Sequence, residues 1–85
     1  MYQVVVERSA EKDLKKLSSQ IRARAATAMQ ALSHDPRPPG CRKLAGSDSD
    51  DWRIRFGDYR IIYQIADEIR IIRINRVRHR REVYN

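Results

Sequence analysis

The sequence holds a single cysteine, Cys41, among its 85 residues. One thiol cannot form an internal disulfide and has no neighbouring ligands for a metal site, so the chain reads as a protein of a reducing compartment. Long apolar runs are also missing, which argues against a membrane-spanning helix and against any membrane partner. The N-terminus lacks a basic start followed by an apolar block and a small-residue cleavage site, which points to the cytoplasm rather than export. Glycine and proline are scarce, three of each, and all three prolines fall within "HDPRPPGC". Internal repeats and low-complexity tracts are absent. A chain of this length suits one domain over 1–85 that buries roughly 60% of its unfolded surface. Any site should therefore lie on a sheet face or in a shallow cleft.

Acid is scarce where base is dense. The net charge is +7, and Arg70, Arg73, Arg76, Arg78, Arg80 and Arg81 stand close together near the C-terminus with only Glu82 to answer them locally. Arginine's planar fork suits phosphate, and its weak hydration favours contact over solvation. A basic tract of this composition points to a polyanion, with Lys43 as a further basic contact.

Hydrophobic periodicity gives the organisation. "YQVVV" at 2–6 reads as a buried strand. Ser9 suits the N-cap of a helix that carries Leu14 and Leu17 on one face. Ile21, Ala25, Ala28 and Leu32 recur at helical spacing and predict a second helix antiparallel to the first. Prolines 36, 38 and 39 end this hairpin, because each lacks a donor and forces its predecessor out of helical geometry. Lys43 and Leu44 are a brief sticky point before the polar, acidic "GSDSDD", which reads as a surface loop. From Trp52 the period becomes two. Trp52, Ile54 and Phe56 alternate with Arg53 and Arg55, Gly57 and Asp58 make a tight turn, and residues 59–65 return. A third run, 69–74, follows a turn at Asp67 and Glu68. The expected fold is α+β, ordered β-α-α-β-β-β: a small antiparallel-meander sheet with the N-terminal helical hairpin on one face and the other face open.

A two-residue turn at Gly57 and Asp58 sets Phe56 opposite Tyr59 and Arg55 opposite Arg60, with Arg53 nearby. Directly opposed like charges are unfavourable on a sheet, and the two runs offer no carboxylate, so the negative charge should come from a ligand. "RVRHRREVY" then brings Arg78, His79, Arg80, Arg81 and Tyr84 within reach of the same face. Metal-free RNA cleavage needs a group to take the ribose 2′-hydroxyl proton, cations for the phosphorane, and an acid for the departing 5′-oxygen. A tyrosine among arginines has its ionised form favoured and can also stack on a base. His79 is the other candidate for the proton. No set of His, Cys and carboxylate residues has metal-ligand spacing, and no cofactor is called for.

Four stretches, "SAEKDLKKL", "DPRPPGCRKLAG", "WRIRFGDYRIIYQI" and "VRHRREVY", together span nearly the whole chain, and in their order and spacing the sequence resembles toxins of the RelE/ParE superfamily, specifically the RelE branch. The resemblance implies a RelE-like fold and an mRNA endonuclease acting in the ribosomal A site, restrained by a RelB-like antitoxin. It implies a monomeric free toxin and a higher-order heteromeric complex. By position it gives catalytic roles to Arg53, Arg55, Arg60, Arg78 and Tyr84; the basic residues Arg73, Arg76, Arg80, Arg81 and Lys43 are the expected RNA contacts. The prototype carries lysines where this chain has Arg53 and Arg55; arginine does not give up a proton readily, so abstraction shifts to Tyr84, with His79 in reserve. Many relatives read "VGHRREVY", with glycine in place of Arg78, which leaves Arg80 and Arg81 as alternatives for that arginine. Two other readings share these residues: a ParE-like inhibitor of DNA gyrase, and a non-catalytic nucleic-acid-binding module.

Overall fold

The computed structural model describes residues 1–44 and 50–83. The elements are β1 (Gln3–Val6), α1 (Arg8–Lys15), α2 (Ser19–His34), β2 (Arg42–Lys43), β3 (Asp51–Phe56), β4 (Tyr59–Ala66), β5 (Ile71–His79) and α3 (Arg80–Val83). The strands form one sheet in the order β1-β5-β4-β3-β2. The meander β3-β4-β5 is antiparallel as the sequence suggests, but the whole sheet is mixed, because β1 joins its edge parallel to β5. A helical hairpin separates β1 from the remaining strands, and such a crossover allows the parallel pairing. Among the described residues no helix is long and apolar enough to cross a membrane.

Several local expectations are corrected. "YQVVV" is a half-covered edge strand rather than a buried one. Arg42 and Lys43 pair with Arg53 and Trp52 as a short outer strand. β5 begins later than the third apolar run and continues through Arg76, Val77, Arg78 and His79. Glu7, not Ser9, occupies the N-cap of α1 and contributes no side-chain cap; the Ser9 hydroxyl instead donates to the Asn75 carbonyl at 2.6 Å. Of "GSDSDD", positions 46–49 lie outside the described residues, while Asp51 opens β3.

One face of the sheet is closed by the helices. Ala10, Ala25, Met29 and Leu32 meet Ile54, Ile61, Tyr63, Ile72, Ile74 and Val77 in a continuous core. α2 starts at Ser18, whose hydroxyl accepts from the Ile21 N–H, and ends where Asp35 turns extended before Pro36. The proline segment is then clasped to the sheet. Tyr63, fully buried, donates its hydroxyl to the Pro36 carbonyl at 2.8 Å; burial, reinforced by Cys41, pushes that phenol up and keeps the donor protonated. Arg37 lies over the Trp52 ring at 5.1 Å and donates both Nη groups to Asp67, whose carboxylate also accepts from Tyr2 at 2.7 Å.

The Arg37 and Tyr2 hydrogen bonds hold the Asp67 carboxyl at about 2, against an ordinary 3.8. The unfolded chain therefore takes up this proton before the native one does. The stability involved is full above about pH 4 and is lost as pH falls towards 2. Asp67→Asn should flatten that part of the acid-unfolding curve, measured by circular dichroism between pH 5 and pH 2. Identical acid slopes for both proteins would show that the clasp adds nothing.

Candidate nucleic-acid interface

The open face is organised by a turn and a bulge. Gly57 has φ +57 while Asp58 does not enter positive φ, the II′ pattern suited to a two-residue hairpin. A Cβ at Gly57 would lie 2.9 Å from an Arg24 Nη atom reaching over from α2, a flexible side-chain end that could move aside, so it is the positive φ that favours glycine here. This turn sets Phe56 opposite Tyr59 and Arg55 opposite Arg60, the register expected from the sequence. On the other side of β4, Arg60 pairs with Arg78. Arg55, Arg60 and Arg78 thus form one rung across three adjacent strands. Two residues further along each strand, on the same face, stand Arg53, Ile62 and Arg76.

The bulge makes this alignment possible. Ile72 and Ile74 face the helices, and unbroken alternation would send Arg76 and Arg78 into the core behind them. Instead the register shifts between Ile62 and Tyr63: Ile62 pairs with Arg76 and Tyr63 with Ile74, leaving Asn75 as the extra residue. Val77 then returns to the core, and Arg76 and Arg78 turn to the open face. The signal was present in the sequence as the three-residue gap between Ile74 and Val77 in a strand of otherwise period two.

The end of the rung is strongly cationic. Arg60 is only 6% exposed. Arg55, Arg60, Arg80 and Arg81 line a cleft of about 380 Å³ where α3 leaves the sheet. The backbone N–H of Arg80 bonds to the Asp58 carbonyl at 2.8 Å, and its guanidinium lies 3.9 Å from the Asp58 carboxylate, so the turn anchors the start of α3. On the other side of β3, a groove of about 460 Å³ has an apolar wall of Ala28, Ala31 and Pro38 and a rim of Arg42, Arg53 and Arg55.

Not every basic residue singled out in the sequence joins this cluster. His79 pairs with Tyr59 rather than with the arginines and therefore lies on the helix-covered face, a correction to its expected position. Its ring meets Tyr59 edge-on at 5.2 Å, and Tyr59 stacks on Phe56 at 5.6 Å. His79 Nδ1 accepts the Arg81 backbone N–H at 3.3 Å, so this nitrogen serves the start of α3. Lys43 pairs with Asp50, Arg73 with Glu7, and Arg76 with Asp13, at 2.9, 3.2 and 2.9 Å. Tyr84 lies outside the described residues.

With this geometry in view, comparison with known proteins is informative. A family model described as the ParE toxin of type II toxin-antitoxin systems, parDE, matches residues 4–84. A chain of the RelBE2 toxin-antitoxin complex of Mycobacterium tuberculosis is 32% identical, with a TM-score of 0.83 over 92% of this chain and 96% of that one. The archaeal RelE-RelB complex of Pyrococcus horikoshii contains a chain 29% identical, with a TM-score of 0.80 over 93% and 94%. The isolated RelE toxin of Escherichia coli is 28% identical, with a TM-score of 0.78 over 99% and 92%. No curated protein matches the sequence.

Opposed cations on adjacent strands cost roughly 0.2–1 kcal/mol, and the cost falls as salt screens them. Arg55→Gln, which keeps the apolar stem and removes the charge, should raise the melting temperature at low ionic strength and lose that advantage in high salt. Sulfate should stabilise the wild type more than Arg55→Gln. Equal melting temperatures and equal sulfate shifts would remove the repulsion from the account.

Proposed function

This chain belongs to the ParE toxin family of type II toxin-antitoxin systems, and we propose that within it the protein acts as a RelE-like endoribonuclease, cutting translated mRNA in the ribosomal A site. The observation that supports this reading is the rung of Arg55, Arg60 and Arg78, with Arg80 and Arg81 beside it. A scissile phosphate laid across the rung meets guanidinium groups from three strands. Their fork geometry matches phosphate oxygens and is held in place by the sheet, which is the preorganisation that stabilises a charged transition state.

The chemistry is an internal transfer. The ribose 2′-oxygen loses its proton and bonds to phosphorus, the bond from phosphorus to the 5′-oxygen breaks, and that oxygen takes up a proton. The products are a 2′,3′-cyclic phosphate and a 5′-hydroxyl, and no outside reactant is consumed. Arg60 and Arg78 carry the charge of the phosphorane, and Arg53 and Arg55 hold the flanking backbone. Arg80 and Arg81 supply further phosphate contacts and remain the alternatives to Arg78. The proton falls to Tyr84, since arginine does not give one up readily and His79 lies with Tyr59 on the face of the sheet opposite the rung. Contacts through Lys43, Arg73 and Arg76 would require their ion pairs to open.

Partners follow the same reading. A RelB-like antitoxin with an acidic, amphipathic segment suits the groove of apolar wall and arginine rim beside β3. The ribosome and mRNA are the other partners, and they place the protein in the cytoplasm. The second reading, a ParE-like gyrase inhibitor that cuts no RNA, is favoured by the description of the matching family model.

Single-turnover cleavage on programmed ribosomes distinguishes the two. Arg60→Ala should slow cutting on the order of a hundredfold to a thousandfold, the usual loss for one preorganised donor. Tyr84→Phe should bind ribosomes normally and cut about a hundredfold more slowly, because it loses only the hydroxyl. Intact messages on ribosomes, together with blocked supercoiling by gyrase, would establish the ParE-like activity instead.

A further inference from the structure

The bulge that turns Arg78 outward is held from outside the sheet. β1 pairs with β5 only as far as Val6 and Ile74, and the chain leaves through the Glu7 N–H, which bonds to the Ile74 carbonyl at 3.0 Å. Beyond that point the edge of β5 runs along α1. The Ser9 hydroxyl donates to the Asn75 carbonyl at 2.6 Å. One turn further on, the Asp13 carboxylate accepts the Val77 backbone N–H at 2.9 Å, Arg76 Nε at 2.9 Å and Arg76 Nη2 at 3.1 Å. The i, i+4 spacing of Ser9 and Asp13 puts both on the same face of α1. Two side chains of a helix thus do for residues 75–77 what a neighbouring strand would do for a straight edge.

Asp13 is only 8% exposed. Burial alone would raise its carboxyl, yet hydrogen bonds from Arg76 and Val77 and the charges of Arg76 and Arg78 hold it below the ordinary range. It therefore stays ionised, and this has two consequences. Val77 is fixed beside the bulge, which fixes the direction of the next residue, Arg78. Arg76 is kept neutralised, so it does not compete with the rung for phosphate.

We propose that Asp13 is a positioning residue for the arginine rung: by clamping the Val77 N–H and the Arg76 guanidinium to α1, it holds Arg78 on the open face opposite Arg60. The rate consequence rests on the RNA-cleavage reading; the geometric one does not.

The experiment uses the full chain, with Asp13→Asn as the main variant because it keeps the size and one acceptor. Ser9→Ala is a milder second variant that removes only the Asn75 contact. Nuclear magnetic resonance of folded Asp13→Asn should show weakened contacts between Arg60 and Arg78, and a Val77 amide exchanging about tenfold faster or more, while Ile61 and Ile72 keep their protection. Ser9→Ala should shift the same signals less. On ribosomes, Asp13→Asn should cut roughly tenfold to a hundredfold more slowly at saturation, the scale of a small misplacement near the reacting centre. Its half-saturating concentration should stay level or fall, since Arg76 is released to bind RNA. In an Arg78→Ala background the same substitution should cost less than about twofold, because its route of action is gone. Unchanged contacts between Arg60 and Arg78 with normal Val77 protection, or an equal rate loss in both backgrounds, overturns the proposal. If the wild type cuts no ribosome-bound message, the cleavage reading fails, and the resonance data alone decide whether Asp13 positions Arg78.

Discussion

The arrangement of the open face depends on one irregular residue. Asn75 is the extra residue in β5 opposite the junction of Ile62 and Tyr63. It lets a single strand supply Ile72, Ile74 and Val77 to the core and still present Arg76 and Arg78 on the other face. A regular strand of the same composition would have to bury two arginines or expose its isoleucines, and burying unpaired charge costs far more than one disrupted ladder position. The hydrophobic core therefore selects the bulge, and the bulge aligns the rung. Fold and candidate site are two results of the same packing requirement.

A second constraint is electrostatic. Lys43, Arg73 and Arg76 have carboxylate partners, as does Arg37 at the far end of the sheet. The rung draws Arg55, Arg60 and Arg78 from three strands, and Arg55 and Arg60 line a cleft together with Arg80 and Arg81 at the start of α3. Asp58 in the turn lies 3.9 Å from the Arg80 guanidinium. Cations concentrated in this way suit a polyanion. On the proposed reading that polyanion is the RNA backbone.

Much of this was legible in the sequence because the signals are local. The switch from helical period to period two at Trp52, the proline break after His34, and the Gly57 turn that sets Arg55 opposite Arg60 each depend on a few neighbouring residues. What escaped depends on contacts distant along the chain. Parallel pairing of β1 with β5 joins residues nearly seventy positions apart, and no periodicity records it. Ser9 resembles an N-cap until Asn75 is found beside it, and Asp13 resembles one more charge on an amphipathic helix until Val77 and Arg76 come to meet it. Adjacency in a basic tract makes His79 resemble one of the arginine group. A strand sends neighbours to opposite faces, so adjacency to Arg78 is what places it with Tyr59 instead.

The central claim is that the rung stabilises a phosphorane formed by attack of the ribose 2′-hydroxyl, and the chemistry of the cut ends tests this most directly. Messages cleaved on ribosomes by the purified protein should carry a 2′,3′-cyclic phosphate, or the phosphate left by its opening, on the upstream fragment and a 5′-hydroxyl on the downstream one. A 3′-hydroxyl upstream with a 5′-phosphate downstream would mean that water, not the ribose, attacks phosphorus, and the account of the rung would be contradicted.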